Sequence, residues 1–302
     1  MDDCIIIGAG PAGLTAAIYL TRYHLSIRLF DGGDSRAAMI PRTHNHAGYP
    51  GGVEGSELLR LMHEQAREFG TIREDRTVIA IDRDGDGFVV RTDGNNFPAR
   101  TVLLATGVVN LRPKGLDGEL HDDALRRGLL RYCPICDGYE VTDKRVGVIG
   151  TGSHGTKEAL FLRGYTADVT LISPDSAHDL DADCLAKLDD AGIAQADGPC
   201  GGYAIRDERF CVETADGDLS FDSVYPALGS TIRSELAVAA GADGDSEGCL
   251  KVDSHMRTTV PGLFAAGDVV MGLDQISNAM GQAGVAATTI RNLLDERRPI
   301  RR

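Results

Sequence analysis

The chain opens with an apolar run at 4–7, a turn of glycines and small residues at 8–13, a helical stretch at 14–23 and a second apolar run at 27–30 ending on Asp31. Short continuous apolar runs bounded by glycine read as buried strands, and the longer stretch between them reads as a helix. The same order returns in "RVGVIGTGSHGTKEALFLRGYTADVTLIS", almost element for element. The two copies are too large and too distant for a stacked-repeat protein, so they read as two nucleotide-binding units in one chain. Between them, short strands at 77–82, 88–92 and 101–105 are separated by "DGDG" and "DGNN", the punctuation of a β-meander. The second unit closes with a similar meander, "RFCVETADGDLSFDSVYPALGS". The last segment holds a strand in "TTVPGLFAAGDVV" and a helix over about 276–294. Small residues in "NAMGQAGVAATTI" suit that helix either to packing on a sheet or to close approach to a ligand.

This order predicts an α/β protein: two Rossmann-like dinucleotide-binding domains, each three-layered with a parallel sheet plus a β-meander, the second inserted into the first. The expected boundaries are 1–113 and 233–302 for the first domain and 114–232 for the second. Links containing glycine and charge near 112–118 and 229–235 would act as paired hinges between them.

Composition narrows the function classes. At 302 residues the chain is long enough for a sizeable core or two, and 42% hydrophobic with 25% charged residues is a globular balance. The net charge of −14 disfavours a nucleic-acid or anionic-membrane partner. No apolar run is long enough to span a membrane, and "MDDCIIIGAG" has acids where a signal peptide carries positive charge. A cytoplasmic protein is expected, with "ERRPIRR" as a solvated basic end. Of seven cysteines, Cys4, Cys184, Cys200, Cys211 and Cys249 are scattered and read as incidental or buried thiols.

The first glycine motif is Gly8-Ala9-Gly10-Pro11-Ala12-Gly13. Gly8 permits a tight turn, Gly10 lets the backbone approach a pyrophosphate, and Gly13 lets helix and strand pack closely. The preceding strand, the following helix and Asp31, suited to a ribose hydroxyl, make a dinucleotide site the expected reading. Cys133-Pro134-Ile135-Cys136-Asp137 holds the paired thiols. Two cysteines at this spacing can form a redox disulfide, bind a metal or lie inert. A zinc site needs another thiol or histidine pair, which the sequence lacks, so no metal is expected and the redox reading is preferred.

These motifs, with "LLATG" at 103–107 and "LFAAGD" at 263–268, resemble the low-molecular-weight thioredoxin reductases, over nearly the whole chain. The resemblance implies FAD in the first domain. Gly8, Gly10, Ala12, Gly13 and Asp31 match its adenosine-pyrophosphate motif. Asn45 matches an Asn-x-Pro-Gly turn near the flavin, with Ala47 in place of the proline. Thr106 and Gly107 match a second contact, Gly267 and Asp268 the ribityl-binding motif, and Gln275 and Ile276 the meeting of helix and isoalloxazine. Cys133, Cys136 and Asp137 match the active-site motif, implying Cys136 as the flavin-proximal sulfur, Cys133 as the sulfur that attacks a partner disulfide, and Asp137 as general acid. From its residue type alone the alternative for Asp137 is a helix N-cap.

The third motif, Gly150-Thr151-Gly152-Ser153-His154-Gly155, fits the turn of a pyridine-nucleotide unit, and Glu158 matches the family's glutamate just after it. Here the chain departs from the pattern. Family members that use NADPH carry a His-Arg-Arg segment after the next strand, whereas this chain has Ser173-Pro174-Asp175. It has no arginine between Arg163 and Arg206, and Gly229-Ser230-Thr231-Ile232-Arg233 replaces Gly-His-x-Pro-Asn. Asp175 would repel a 2′-phosphate, and His154 either crowds the turn or is simply exposed. Three readings stay open: NADPH, NADH, or a vestigial site at Gly150, Gly152 and Gly155 with another donor such as ferredoxin. The expected function is an FAD-dependent disulfide oxidoreductase, a homodimer, exchanging electrons with a thioredoxin-like protein. The alternatives are a flavin-dependent oxidase of small dithiols and a non-catalytic redox-sensing flavoprotein. Asp137, where related dithiol oxidases often have histidine, favours the reductase.

Overall fold

The computed structural model describes residues 1–297 and 300. Its largest sheet places the strand Asp2–Ile7 between Ile27–Phe30 and Asn95–Leu104, all parallel, with Ile72–Glu74 beyond Ile27–Phe30. Asn95–Leu104 is longer than the pattern predicts because it joins the antiparallel and parallel parts of this one sheet. Its first half pairs antiparallel with Gly87–Thr92, and its second half joins the parallel sheet. The strand Leu263–Ala265 returns from the far end of the chain to pair with it, Ala265 opposite Leu104. That late pairing makes the first domain discontinuous.

The helix Pro11–Arg22 starts earlier than the predicted 14–23, because Pro11 is pre-set for the first helical position and cannot miss an amide bond there. Its buried face meets the C-terminal helix Ile276–Arg297, whose Ala279, Ala283, Ala286 and Ala287 are buried. A side chain at Gly284 would lie 3.6 Å from the Tyr19 ring, so the small residues serve close helix–helix packing. Ile300 packs against the same core and donates its amide to Asp295, so this part of the tail is anchored rather than free. The rest of "ERRPIRR" beyond Arg297 lies outside the described residues.

The second domain has a parallel sheet in the order Ala194–Ala196, Val169–Ile172, Val146–Ile149, Ser223–Pro226, with a three-stranded antiparallel meander beside it. Strands Val146–Ile149 and Val169–Ile172 are buried at every position, as expected of a sheet covered on both faces. The two connections between domains do not run as loose loops. Val108–Asn110 and Ser230–Ile232 pair antiparallel, and Thr106 Oγ1 donates to the Arg233 carbonyl at 2.5 Å. Both chain crossings therefore share one short ribbon, the geometry of a hinge.

Candidate active site

At the first glycine turn the backbone does what a larger residue cannot. Gly8 has φ +107°, and a Cβ there would stand 2.2 Å from the Ala105 carbonyl oxygen. A Cβ on Gly13 would meet the Gly8 oxygen at 1.8 Å. Gly10 is the N-cap of the helix with no side-chain cap, so the first-turn amides are left without side-chain partners. The turn opens on a cavity of about 760 Å³ that extends past Asp31, Thr106 and Asp268 to the Cys133–Cys136 segment. Asp31 is held by Arg73 at 3.0 Å and by the Gly33 amide. Arg36 bridges Asp268 at 3.1 Å and Asp274 at 2.9 Å. Burial, with Asp268 adding repulsion, raises the Asp274 carboxyl above its ordinary value.

Cys133 and Cys136 form a disulfide. Cys133 caps the single-turn helix Pro134–Asp137, its sulfur accepting the Cys136 amide at 3.2 Å. Asp137 precedes the 3-10 turn Gly138–Val141, but its side chain makes no capping hydrogen bond there. Its carboxylate accepts from Arg131 at 2.9 Å and from the Tyr225 hydroxyl at 2.9 Å. Burial raises the Asp137 carboxyl above its ordinary value, against the pull of Arg131 and Tyr225. Burial likewise pushes the Tyr225 phenol far up, which keeps it a donor. From the first domain, Gln275 Nε2 donates to Cys136 Sγ at 3.2 Å and to Cys133 Sγ at 3.5 Å.

The second glycine turn is arranged differently. Gly150 and Gly155 are packed against each other and Gly152 has φ +61°, all consistent with a nucleotide-type turn. The loop after Val169–Ile172, however, folds back over it. Thr151 Oγ1 accepts the Asp179 amide at 3.0 Å and lies 3.2 Å from His178 Nδ1. His178 Nε2 donates to the Leu171 carbonyl, and the His178 amide donates to Asp197. The Asp179 carbonyl oxygen would sit 3.7 Å from a Cβ on Gly152. Asp175 is paired with Lys114 at 2.7 Å. His154 is exposed and lies 3.4 Å from Glu158, so it stands beside the turn and not inside it.

Residues 2–283 match the family described as pyridine nucleotide-disulphide oxidoreductase. The chain belongs to this family. It is 32% identical over 296 residues to thioredoxin reductase of Aquifex aeolicus (strain VF5), covering 94% of this chain and 88% of that protein. The thioredoxin reductase structure from Streptococcus pyogenes MGAS5005 superposes with a TM-score of 0.88 at 29% identity, covering 98% and 99% of the two chains. That of Lactococcus lactis, in its FR conformation, covers 98% and 100% at 26% identity with a TM-score of 0.64. The chain is thus a thioredoxin reductase-like flavoprotein disulfide oxidoreductase with two dinucleotide-binding domains. Among the described residues no helix is long and apolar enough to cross a membrane, and no cluster suited to a metal ion is found.

For this family member the cavity collects Gly8, Gly10, Ala12, Asp31, Asn45, Thr106, Gly107, Gly267, Asp268, Gln275 and Ile276 with Cys133, Cys136 and Asp137. Gly13 stands behind the turn as a packing residue, and Gly150, Gly152 and Gly155 lie apart in the second domain. Arg36, Arg131 and Tyr225 are absent from the sequence reading. Arg131 and Tyr225 lie 94 positions apart, and only the fold joins them at Asp137. The one local signal was a tyrosine in the fully buried strand Ser223–Pro226, since a buried phenol needs a partner.

Glu158 carries a cost of its own. Burial raises its carboxyl from 4.5 to about 7. A carboxyl raised in the folded state stabilises the fold most below its unfolded value, and that contribution is lost as pH rises through about 7. Glu158→Gln is expected to be more stable than wild type at pH 8 by roughly 2–3 kcal/mol, with the difference shrinking towards pH 4.5. Denaturant unfolding at both pH values checks this, and a pH-independent difference would contradict it.

Proposed function

We propose that the chain is an FAD-dependent disulfide oxidoreductase that passes electrons between flavin, the Cys133–Cys136 pair and a thioredoxin-like protein, with a donor other than NADPH. The observation that carries this reading is that the disulfide opens on the same cavity as the first glycine turn. The residues present fit FAD. The cavity lies in the upper part of the volume range of small-molecule sites, and at Gly107 a side chain would project into open space. The Gly10 and Ala12 amides would hold the pyrophosphate, Asp31 the adenosine ribose and Asp268 the ribityl chain. Asn45, Thr106, Gly107, Gln275 and Ile276 would frame the ring system. Gly267 brings the backbone close to Ala12, and Gly13 supports the turn from behind.

Bound FAD supplies a two-electron carrier next to the disulfide. Reduction of the pair breaks the S–S bond and leaves one thiol and one thiolate. Cys133, its thiol proton passed to the Cys136 thiolate, attacks the partner's disulfide as a thiolate, forming a mixed disulfide and expelling a partner thiolate. Asp137, its carboxyl raised by burial, delivers a proton to that leaving sulfur and takes the Cys136 proton back as Cys136 resolves the mixed disulfide, freeing the second partner sulfur. Attack on a protein partner requires Cys133 to leave the cavity. Domains at 1–113 with 233–302 and at 114–232, turning about the paired links, would allow it. The lower TM-score to the L. lactis structure at full coverage is what a different placement of two similar domains produces. A homodimer is the assembly expected from the resemblance.

The second turn does not fit NADPH. Its Thr151 hydroxyl is committed to the chain's own loop, and Asp175 stands where the resemblance calls for arginines on a 2′-phosphate, with no arginine between Arg163 and Arg206. No step is therefore routed through a nicotinamide. Anaerobic titration of the purified flavoprotein should leave the flavin band unbleached by NADPH, while dithionite bleaches it; bleaching by NADH alone would identify that nucleotide as the donor. Rapid bleaching by NADPH would overturn the donor reading and leave the flavin–disulfide reading intact.

A further inference from the structure

We propose that Gln275 is a catalytic residue that stabilises the thiolate of Cys136 when the disulfide is reduced. The inference rests on the flavin–disulfide reading above and assigns Gln275 a role towards sulfur besides its place in the FAD cavity. A disulfide sulfur can only accept, so the Gln275 amide must turn its NH2 towards the pair. Its Oε1 then accepts from Asn45 Nδ2 at 2.8 Å, and Asn45 Oδ1 accepts from the buried Thr43 hydroxyl at 2.8 Å. Each amide orientation follows from the next, so the chain of donors runs one way, from Thr43 to the sulfurs. The Gln275 backbone is fixed as well, its carbonyl accepting the Ala279 amide at the head of the C-terminal helix. The donor is thus held in place before reduction, as electrostatic stabilisation of a developing charge requires.

Its use appears when the S–S bond breaks. Bound FAD, once reduced, would supply two electrons and one proton, and the pair would become one thiol and one thiolate. Gln275 Nε2 is nearer Cys136 than Cys133, 3.2 against 3.5 Å, so the Cys136 thiolate gains a charge-assisted hydrogen bond. Asp137 with Arg131, Tyr225 and Glu140 flank the pair in its own domain, while Arg36, Asp268 and Asp274 face the same cavity from the other. Only Gln275 among them is hydrogen-bonded to both sulfurs.

The test compares wild type with Gln275→Leu as reduced holoenzymes, following alkylation of Cys136 by iodoacetamide against pH. The midpoint in the variant is expected about one pH unit higher, and the disulfide about tenfold harder to reduce in a glutathione redox series. An unchanged midpoint and redox equilibrium at wild-type flavin content would overturn the proposal. Should Gln275→Leu fail to hold flavin, Thr43→Val breaks the far end of the donor chain and should shift the midpoint in the same direction by less. No shift there would overturn it equally. In wild type, transfer from dithionite-reduced flavin to the disulfide checks the underlying reading separately.

Discussion

Cys136→Ser is expected to retain flavin, lose disulfide turnover to background and accumulate a stable mixed disulfide with a thioredoxin-like substrate. The variant keeps Cys133, the sulfur assigned to attack the partner, but removes the thiol that resolves the adduct. A serine hydroxyl cannot displace sulfur under these conditions, so the covalent complex persists until an external thiol releases it. Cys133→Ser should be equally inactive and form no adduct. Non-reducing electrophoresis with mass measurement reads both outcomes. Adduct formation by Cys133→Ser alone would exchange the two roles, and turnover by both variants would sink the enzyme reading. A small dithiol oxidised with oxygen uptake, and indifference to thioredoxin, would instead favour the oxidase alternative. Little fold loss is expected, because the C-x-x-C segment is a short turn at the cavity and the buried clusters of the second domain lie elsewhere.

The fold was legible where a local rule decides the structure. Two runs of strand, glycine turn and helix carry their own periodicity and punctuation, and the strand at 27–30 ends where the pattern ends it. The meander strands were visible, but the length of Asn95–Leu104 was not, because one strand running from the antiparallel into the parallel part of a sheet leaves no local break. The first link was placed a few residues beyond Val108–Asn110, whereas the second, 229–235, contains Ser230–Ile232. Two three-residue strands separated by the whole second domain have no sequence signal for their pairing. The same distinction governs the site. Asp31, Asp268 and the cysteines sit in motifs, whereas Arg36 on Asp268, Tyr225 on Asp137 and Gln275 on the sulfurs are contacts between remote segments. The folding of His178 and Asp179 onto Thr151 belongs to this second kind. The sequence reading located the missing arginines but not the loop that takes the turn's hydrogen bonds.

Two glycines of the first turn separate folding from cofactor binding. Gly8→Ala is expected to cost about 2–5 kcal/mol and to abolish flavin binding, because two penalties coincide. The residue lies at φ +107°, and its new Cβ would stand 2.2 Å from the Ala105 oxygen. Relief by movement is blocked: the Gly8 amide donates to Phe30, the Ala105 amide donates to Ile7, and Ile7 is in register with Leu104 in the central sheet. Gly10→Ala should behave otherwise. Its φ of −77° suits any residue, and its Cβ would stand 3.4 Å from Ser35 Oγ, with little to strain. That methyl would instead enter the space where a pyrophosphate approaches the helix amides. Gly10→Ala is therefore expected to unfold like the wild-type apoprotein while holding flavin at least tenfold more weakly, a loss of about 1.4 kcal/mol or more in binding. Urea unfolding with flavin absorbance on the same samples distinguishes the cases. Full flavin retention in Gly10→Ala would move the pyrophosphate away from this turn.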